Sequence, residues 1–181
     1  FRSKPGERQG PMEAQRPDQE AVQRLSQAIQ HRTVSYEDQS QVDGGEFLRL
    51  HDFLERSFPR IHSSLTREVV GEYSLLYTWT GSRPDLEPVM QIAHLDVTPA
   101  DSEDGWSHPP FAGAVADEYI WGRGAMDMKL AVMGLLEAVE ALLAAGFQPQ
   151  RTVYLGFGHD EELGGYRGAA RIAHTLRSRG V

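Results

Sequence analysis

Residues 126–157 read MDMKLAVMGLLEAVEALLAAGFQPQRTVYLGF, a long apolar run at helical spacing that leads into a short β-branched and aromatic segment. The pattern predicts a helix over 126–145, closed by Gly146 and followed by Pro149, and then a strand over 152–157. Apolar residues fall nearly all round this helix, so it is expected to be buried. Upstream, Val89-Met90-Gln91-Ile92-Ala93 reads as another short strand. Strand, helix and strand in this order predict a parallel crossover, and hence an α/β fold with a mixed, largely parallel sheet flanked by helices. In such sheets functional groups gather just beyond the carboxyl ends of the strands. Both strands here end in ionisable clusters.

Outward from this centre, residues 17–30 place Ala21, Val22, Leu25, Ala28 and Ile29 at helical spacing, with Pro17 as the first helical position. A second helix is predicted over 45–57, with Phe47, Leu48, Leu50, Phe53 and Leu54 on or near its buried side and Pro59 ending it. Residues 69–80 read as one strand ending at Gly81, 114–121 as a further strand or hairpin arm, and 167–179 as a last helix. Residues 1–16 hold two prolines, two glycines and six charged side chains without apolar periodicity, the composition of a polar linker. The folded part is therefore assigned to 17–181.

The chain has 181 residues and no detectable internal repeat, which fits one domain or part of one. Its net charge of -8 is an unfavourable background for binding a polyanion, so nucleic acid is not expected as a partner. Without any cysteine there is no disulfide, thiolate ligand or cysteine nucleophile, and a metal would have to be held by His, Asp and Glu. The longest apolar stretch, 130–145, is interrupted by Glu137 and Glu140 and falls short of the roughly 20 residues a membrane helix needs, so no span is expected. The sequence opens at Phe1 without a signal-peptide core, and an N-terminal segment carrying targeting information is expected to precede it.

Three clusters carry chemistry. His94-Leu95-Asp96 follows the 89–93 strand, and an imidazole that ligates a metal commonly donates its second N–H to a carboxylate, which Asp96 could supply. A strand-end histidine satisfied by a nearby acid is the plain alternative. Gly122-Arg123-Gly124 then leads to Asp127 and Lys129 at the start of the long helix. Asp127 replaces the third glycine of a dinucleotide fingerprint and would repel a pyrophosphate, so the turn suits a cation, or simply a carboxylate at a helix N-terminus. The third cluster, His159-Asp160-Glu161-Glu162, follows the 152–157 strand and Gly158 and sets three acids side by side. Such crowding marks either a solvated loop or a divalent-cation site in which one acid binds metal and another moves protons.

Together, in this order, the clusters resemble the di-zinc aminoacylase and carboxypeptidase S family. Gly105-Trp106-Ser107-His108-Pro109-Pro110-Phe111-Ala112-Gly113 is similar to that family's G-W-x-x-P-P-F-x-G segment, whose plain role is packing and turn formation. The Gly158-His159 lead-in resembles the branch containing carboxypeptidase S and the N-fatty-acyl-amino acid synthase/hydrolase. The resemblance implies that His94 ligates one zinc, Glu162 the other, and Asp127 bridges both. It further implies that Asp96 orients His94, that Glu161 is the general base acting on a water held between two zinc ions, and that the Asp127–Met128 bond is cis. The implied activity is hydrolysis of amide bonds next to a free carboxylate, in peptides or N-acyl amino acids.

Family members have one further ligand per zinc, an aspartate downstream of the Glu-Glu pair and a late histidine, and both are expected beyond Val181. His174, inside a predicted helix, is expected to be a surface residue. The family's lid domain, implied to carry homodimer contacts, is likewise expected elsewhere, and the 181 residues alone are expected to be inactive. The resemblance also implies a secreted, periplasmic or vacuolar setting.

Overall fold

Leu75, Tyr77 and Trp79 alternate with Leu76 along one strand, yet all four are buried, which requires a sheet covered on both faces. The computed structural model describes residues 17–101 and 103–181, so the linker expected over 1–16 lies outside the described residues. In chain order the elements are α1 (Gln19–Gln30), α2 (Gly44–Ser57), α3 (Pro59–Ser64), β1 (Thr66–Val70), β2 (Ser74–Trp79), β3 (Val89–His94), β4 (Ala114–Ala116), β5 (Tyr119–Trp121), α4 (Lys129–Ala144), β6 (Val153–Gly158) and α5 (Ala169–Ser178). The main sheet has the order β1-β2-β6-β3. Its β3–β6 pair is parallel and joined through α4, as the crossover predicted, whereas β1–β2 and β2–β6 are antiparallel. The sheet is thus mixed, and among the described strands its parallel component is confined to the β3 side.

Helices α1 to α4 cover one face, where Ile29, Phe47, Leu54, Phe58, Leu136 and Phe157 belong to one buried cluster. On the other face α5 packs Ile172 and Leu176 against Val70 and Leu76. The two acids that interrupt the α4 sequence have structural partners. Glu137 receives a bidentate pair from Arg24 on α1, at 2.6 and 2.8 Å. Glu140 accepts the backbone amides of Arg60 and Ile61, at 3.1 and 3.0 Å, and so caps the otherwise unpaired start of α3.

Several boundaries differ from the sequence expectation. The strand expected over 69–80 is a hairpin of β1 and β2, reversed at Gly71, whose φ of 70° lies in the left-handed region that glycine tolerates. Pro59 begins α3 instead of merely ending α2, because the missing proline N–H costs nothing at a first helical position. Pro17 lies outside α1, since Asp18 takes the N-cap and accepts the Ala21 amide at 2.7 Å. Residues 114–121 hold both arms of a hairpin, with Asp117 and Glu118 at positive φ in the two-residue turn.

Helix α4 starts at Lys129, not 126, and it is buried on one face only. Val132, Met133, Leu136 and Val139 face the core, whereas Leu130 and Leu142 are 50 % and 40 % exposed. A helix laid on a sheet buries one stripe; Leu135 and Leu143 flank it, partly buried against the same core, and Leu130 and Leu142 lie outside it. Leu136→Ala is therefore expected to cost about 2–5 kcal/mol in chemical denaturation, and Leu142→Ala under about 1 kcal/mol.

Strand β3 pairs only with β6 among the described residues, and its other edge is open. Ile92 on this strand is 72 % exposed.

Candidate metal centre

His94 pairs with Gly158 across the parallel β3–β6 ladder, and the Leu95 amide donates to the Gly158 carbonyl at 2.7 Å. The segments that follow both strands therefore leave the sheet at one edge. Asp127, just before α4, meets them there, with His94 Nε2 3.1 Å from its Oδ1. His94, Asp127 and Glu162 each turn one ligand-type atom inward, all within 4.8 Å of one another. Glu161 Oε2 lies 3.6 Å from His94 Nε2. The Asp127–Met128 peptide is cis.

Asp96 is the fully buried hub of this edge. Its Oδ1 lies 3.3 Å from His94 Nδ1 and accepts the Glu161 amide at 3.1 Å. Its Oδ2 accepts the Glu162 amide at 3.2 Å and the Ser35 hydroxyl at 2.7 Å. One carboxylate thus contacts the imidazole from β3 and the backbone of both glutamates after β6. His94 Nδ1 also lies 2.9 Å from the Asp96 carbonyl, so its ring is held from two sides.

The electrostatics reflect crowded acids. Burial disfavours charge on His94, yet the hydrogen bond and charge of Asp96, with Asp127 adding to them, push it up to about 9. Burial alone would raise Asp96, but hydrogen bonds from His94, Ser35 and the Glu161 amide hold it below the usual carboxylate range. Burial also pushes Glu162 up, helped by Asp127, Asp96 and Glu161 and opposed by His94.

Asp160 does not join the acidic group expected from sequence. Its carboxylate is buried and accepts the Arg167 and Gly168 amides, at 2.7 and 2.8 Å, which offset the charge. It anchors the loop after Glu161 and Glu162 near the start of α5. His174 is exposed on α5 and is not among the three clustered side chains.

Lys129 has a role that the sequence reading left open. It is buried, and its Nζ donates to the Ala28 and His31 carbonyls at 2.9 and 2.5 Å, which ties the start of α4 to the end of α1. Burial pushes the ammonium down to about 7, against the pull of Glu46. Gly124 admits this approach: with φ at 81°, an added Cβ would stand 2.6 Å from Val97 Cγ1. The segment 105–113 packs beneath the same turn, with the Pro110 carbonyl accepting the Arg123 amide at 2.7 Å and Arg123 over the Trp106 ring. Sequence reasoning missed Thr33 and Ser35, both buried here. A three-residue polar, apolar, polar alternation was their one local trace.

The profile of peptidase family M20/M25/M40 matches residues 90–181, about half of the chain. A probable carboxypeptidase S-like 2 of Dictyostelium discoideum is 47 % identical over 157 residues, covering 86 % of this chain and 30 % of that protein. An N-fatty-acyl-amino acid synthase/hydrolase of Mus musculus is 44 % identical over 87 % of this chain and 31 % of its own length. The chain therefore spans about a third or less of these curated relatives. Among solved structures, human carnosine dipeptidase 1 superposes with a TM-score of 0.64 and 24 % identity, covering 82 % of this chain and 33 % of that one, which supports the fold. From the matched profile and the converging ligand-type side chains, the chain belongs to peptidase family M20/M25/M40, a lineage of metal-dependent amide hydrolases.

Proposed function

We propose that this chain supplies part of the active site of a zinc-dependent hydrolase that cleaves amide bonds next to a free carboxylate, in peptides or N-acyl amino acids. The observation that carries the reading is the meeting of His94, Asp127 and Glu162 at one sheet edge with Glu161 beside them. One nitrogen and two carboxylate donors suit zinc in a chain without cysteine, and positive charge would stabilise the crowded acids.

His94 and Glu162 would each hold one of two ions and Asp127 would be shared between them. Bound zinc supplies Lewis acidity and a water acidified toward neutral pKa. Glu161 accepts the proton of the attacking water and returns it to the leaving amine, while Asp96 keeps His94 and the two glutamates in register. The test is to assay the complete protein that carries this stretch against N-acyl amino acids and dipeptides, with zinc supplied and metal content measured. Absence of metal-dependent amide cleavage across that panel would overturn the reading.

A second reading concerns the 181 residues by themselves. Among the described residues three side chains would serve two ions, leaving two protein ligands per ion where catalytic zinc sites use three. The chain alone is then expected to be inactive, and metal-dependent turnover by it would refute that.

Proton release tests the ligand role of His94 separately. Its pKa of about 9 keeps the imidazole charged at pH 7.5, whereas a ligand must be neutral. Zinc binding at pH 7.5 is expected to release about one proton from His94 beyond any lost by the acidified water, read as the difference from His94→Ala by calorimetry in buffers of different ionisation enthalpy. In the metal-free protein the same raised pKa contributes stability that is fully present below about pH 6.5 and lost as pH rises through 9. Zinc uptake without proton release would remove His94 from the ligand set.

A further inference from the structure

The three loops that meet at the metal centre come from distant parts of the chain, and one short segment touches all of them. Residues 31–35 follow α1. The Val97 amide donates to the Thr33 carbonyl and the Ser35 amide to the Val97 carbonyl, both at 3.0 Å, around a parallel bridge between Val34 and Val97. Thr33 Oγ1 donates to the Leu95 carbonyl at 2.6 Å, so the segment is stitched along the loop that carries His94 and Asp96. Lys129, two residues beyond Asp127, is bonded to the His31 carbonyl at 2.5 Å. The third loop is reached through Ser35, whose hydroxyl is also 3.4 Å from the His159 carbonyl.

That hydroxyl has one proton, and its shorter contact assigns it to Asp96 Oδ2 at 2.7 Å. The other groups on this carboxylate, His94 Nδ1 at 3.3 Å and the Glu161 and Glu162 amides at 3.1 and 3.2 Å, are those it orients. A group that orients others needs an anchor outside them, because a carboxylate held only by its dependants can rotate with them. Among the hydrogen bonds of the described residues, Ser35 is that anchor and makes the shortest contact.

We propose that Ser35 is a positioning residue of the metal centre, which fixes the rotation of the Asp96 carboxylate and through it the imidazole plane of His94 and the backbone of Glu161 and Glu162. The inference rests on the reading of His94 and Glu162 as zinc ligands. It differs from a packing role, because the lost hydroxyl changes ligand geometry and not merely stability.

The test uses the complete protein that carries this stretch. Zinc affinity is measured by competition with a chromophoric chelator, alongside kcat, KM and the melting temperature of the metal-free form. Ser35→Ala is expected to weaken zinc binding by about 10 to 100-fold and to lower kcat by a similar factor, with KM changed less than about twofold. Ser26→Ala is the matched control: it removes a hydroxyl that donates to the Gly113 carbonyl at 2.6 Å, away from the metal centre, and is expected to lower the melting temperature without changing zinc affinity. If Ser35→Ala does not fold, Ser35→Cys keeps the side-chain size with a weaker donor and is read in the same way. Wild-type zinc affinity and kcat in a folded Ser35 variant would overturn the proposal. If the unsubstituted protein binds no zinc, or His94→Ala binds it as tightly, the metal reading itself fails and the proposal falls with it.

Discussion

Glu161→Gln in the complete protein is expected to lower kcat by about 10² to 10⁴-fold while zinc stays bound and KM changes little. The side chain of Glu161 is 58 % exposed, with Oε2 3.6 Å from His94 Nε2, so it borders the ligand atoms and still faces incoming water. Its backbone is held by Asp96, which leaves the carboxylate as the mobile part. Glutamine preserves the shape of that arm but cannot take a proton. Kinetics and metal analysis on the same sample separate the two effects. An unimpaired variant would remove Glu161 from the role of base, and a variant depleted of zinc would make it a ligand instead.

Asp127→Ala is expected to have the larger effect on metal content. As the side chain assigned to both ions, Asp127 takes a ligand from each when it is removed, whereas Glu162→Ala takes a ligand from one. Zinc titration of the complete protein should find two tight sites in the unsubstituted form, one in Glu162→Ala and none in Asp127→Ala, with turnover lost in the last. The Asp127 side chain is 80 % exposed, so its removal should change metal-free stability by less than about 0.5 kcal/mol. Two tight sites remaining in Asp127→Ala would refute the shared role.

The elements that place the site were legible because their signals are local. The β3–α4–β6 order, the ends of β3 and β6, and the clusters beyond them follow from periodicity and from residues adjacent in sequence. The three clusters that hold His94, Asp127 and Glu162 could therefore be marked before their convergence was seen, whereas the choice of these three as ligands came from family likeness. The cis bond and the separate roles of Glu161 and Glu162 came from family likeness and not from spacing. Other features were hidden for identifiable reasons. Gly71 and Glu72 made only a short interruption in a β-forming run, and a glycine in a strand pattern marks a bulge as readily as a turn. Asp160 looked like a third acid at the centre because its amide partners, Arg167 and Gly168, are loop backbone that no pattern announces. Ser35 meets Asp96 across 61 positions of sequence, and nothing near either residue signals the pairing.

The open side of β3 has a practical meaning for anyone handling the 181-residue chain. A strand with one bare edge is a ready template for another, and here it borders an apolar recess of about 460 Å³ lined in part by Met90, Ile92 and Ile172. Edge-to-edge joining of copies along this strand is the expected outcome in crowded solutions of the isolated chain, checked by the dependence of its scattering mass on concentration. Position 92, 72 % exposed on this strand, is where a lysine would discourage that joining, although it lines the same recess as His94, Asp127 and Glu161.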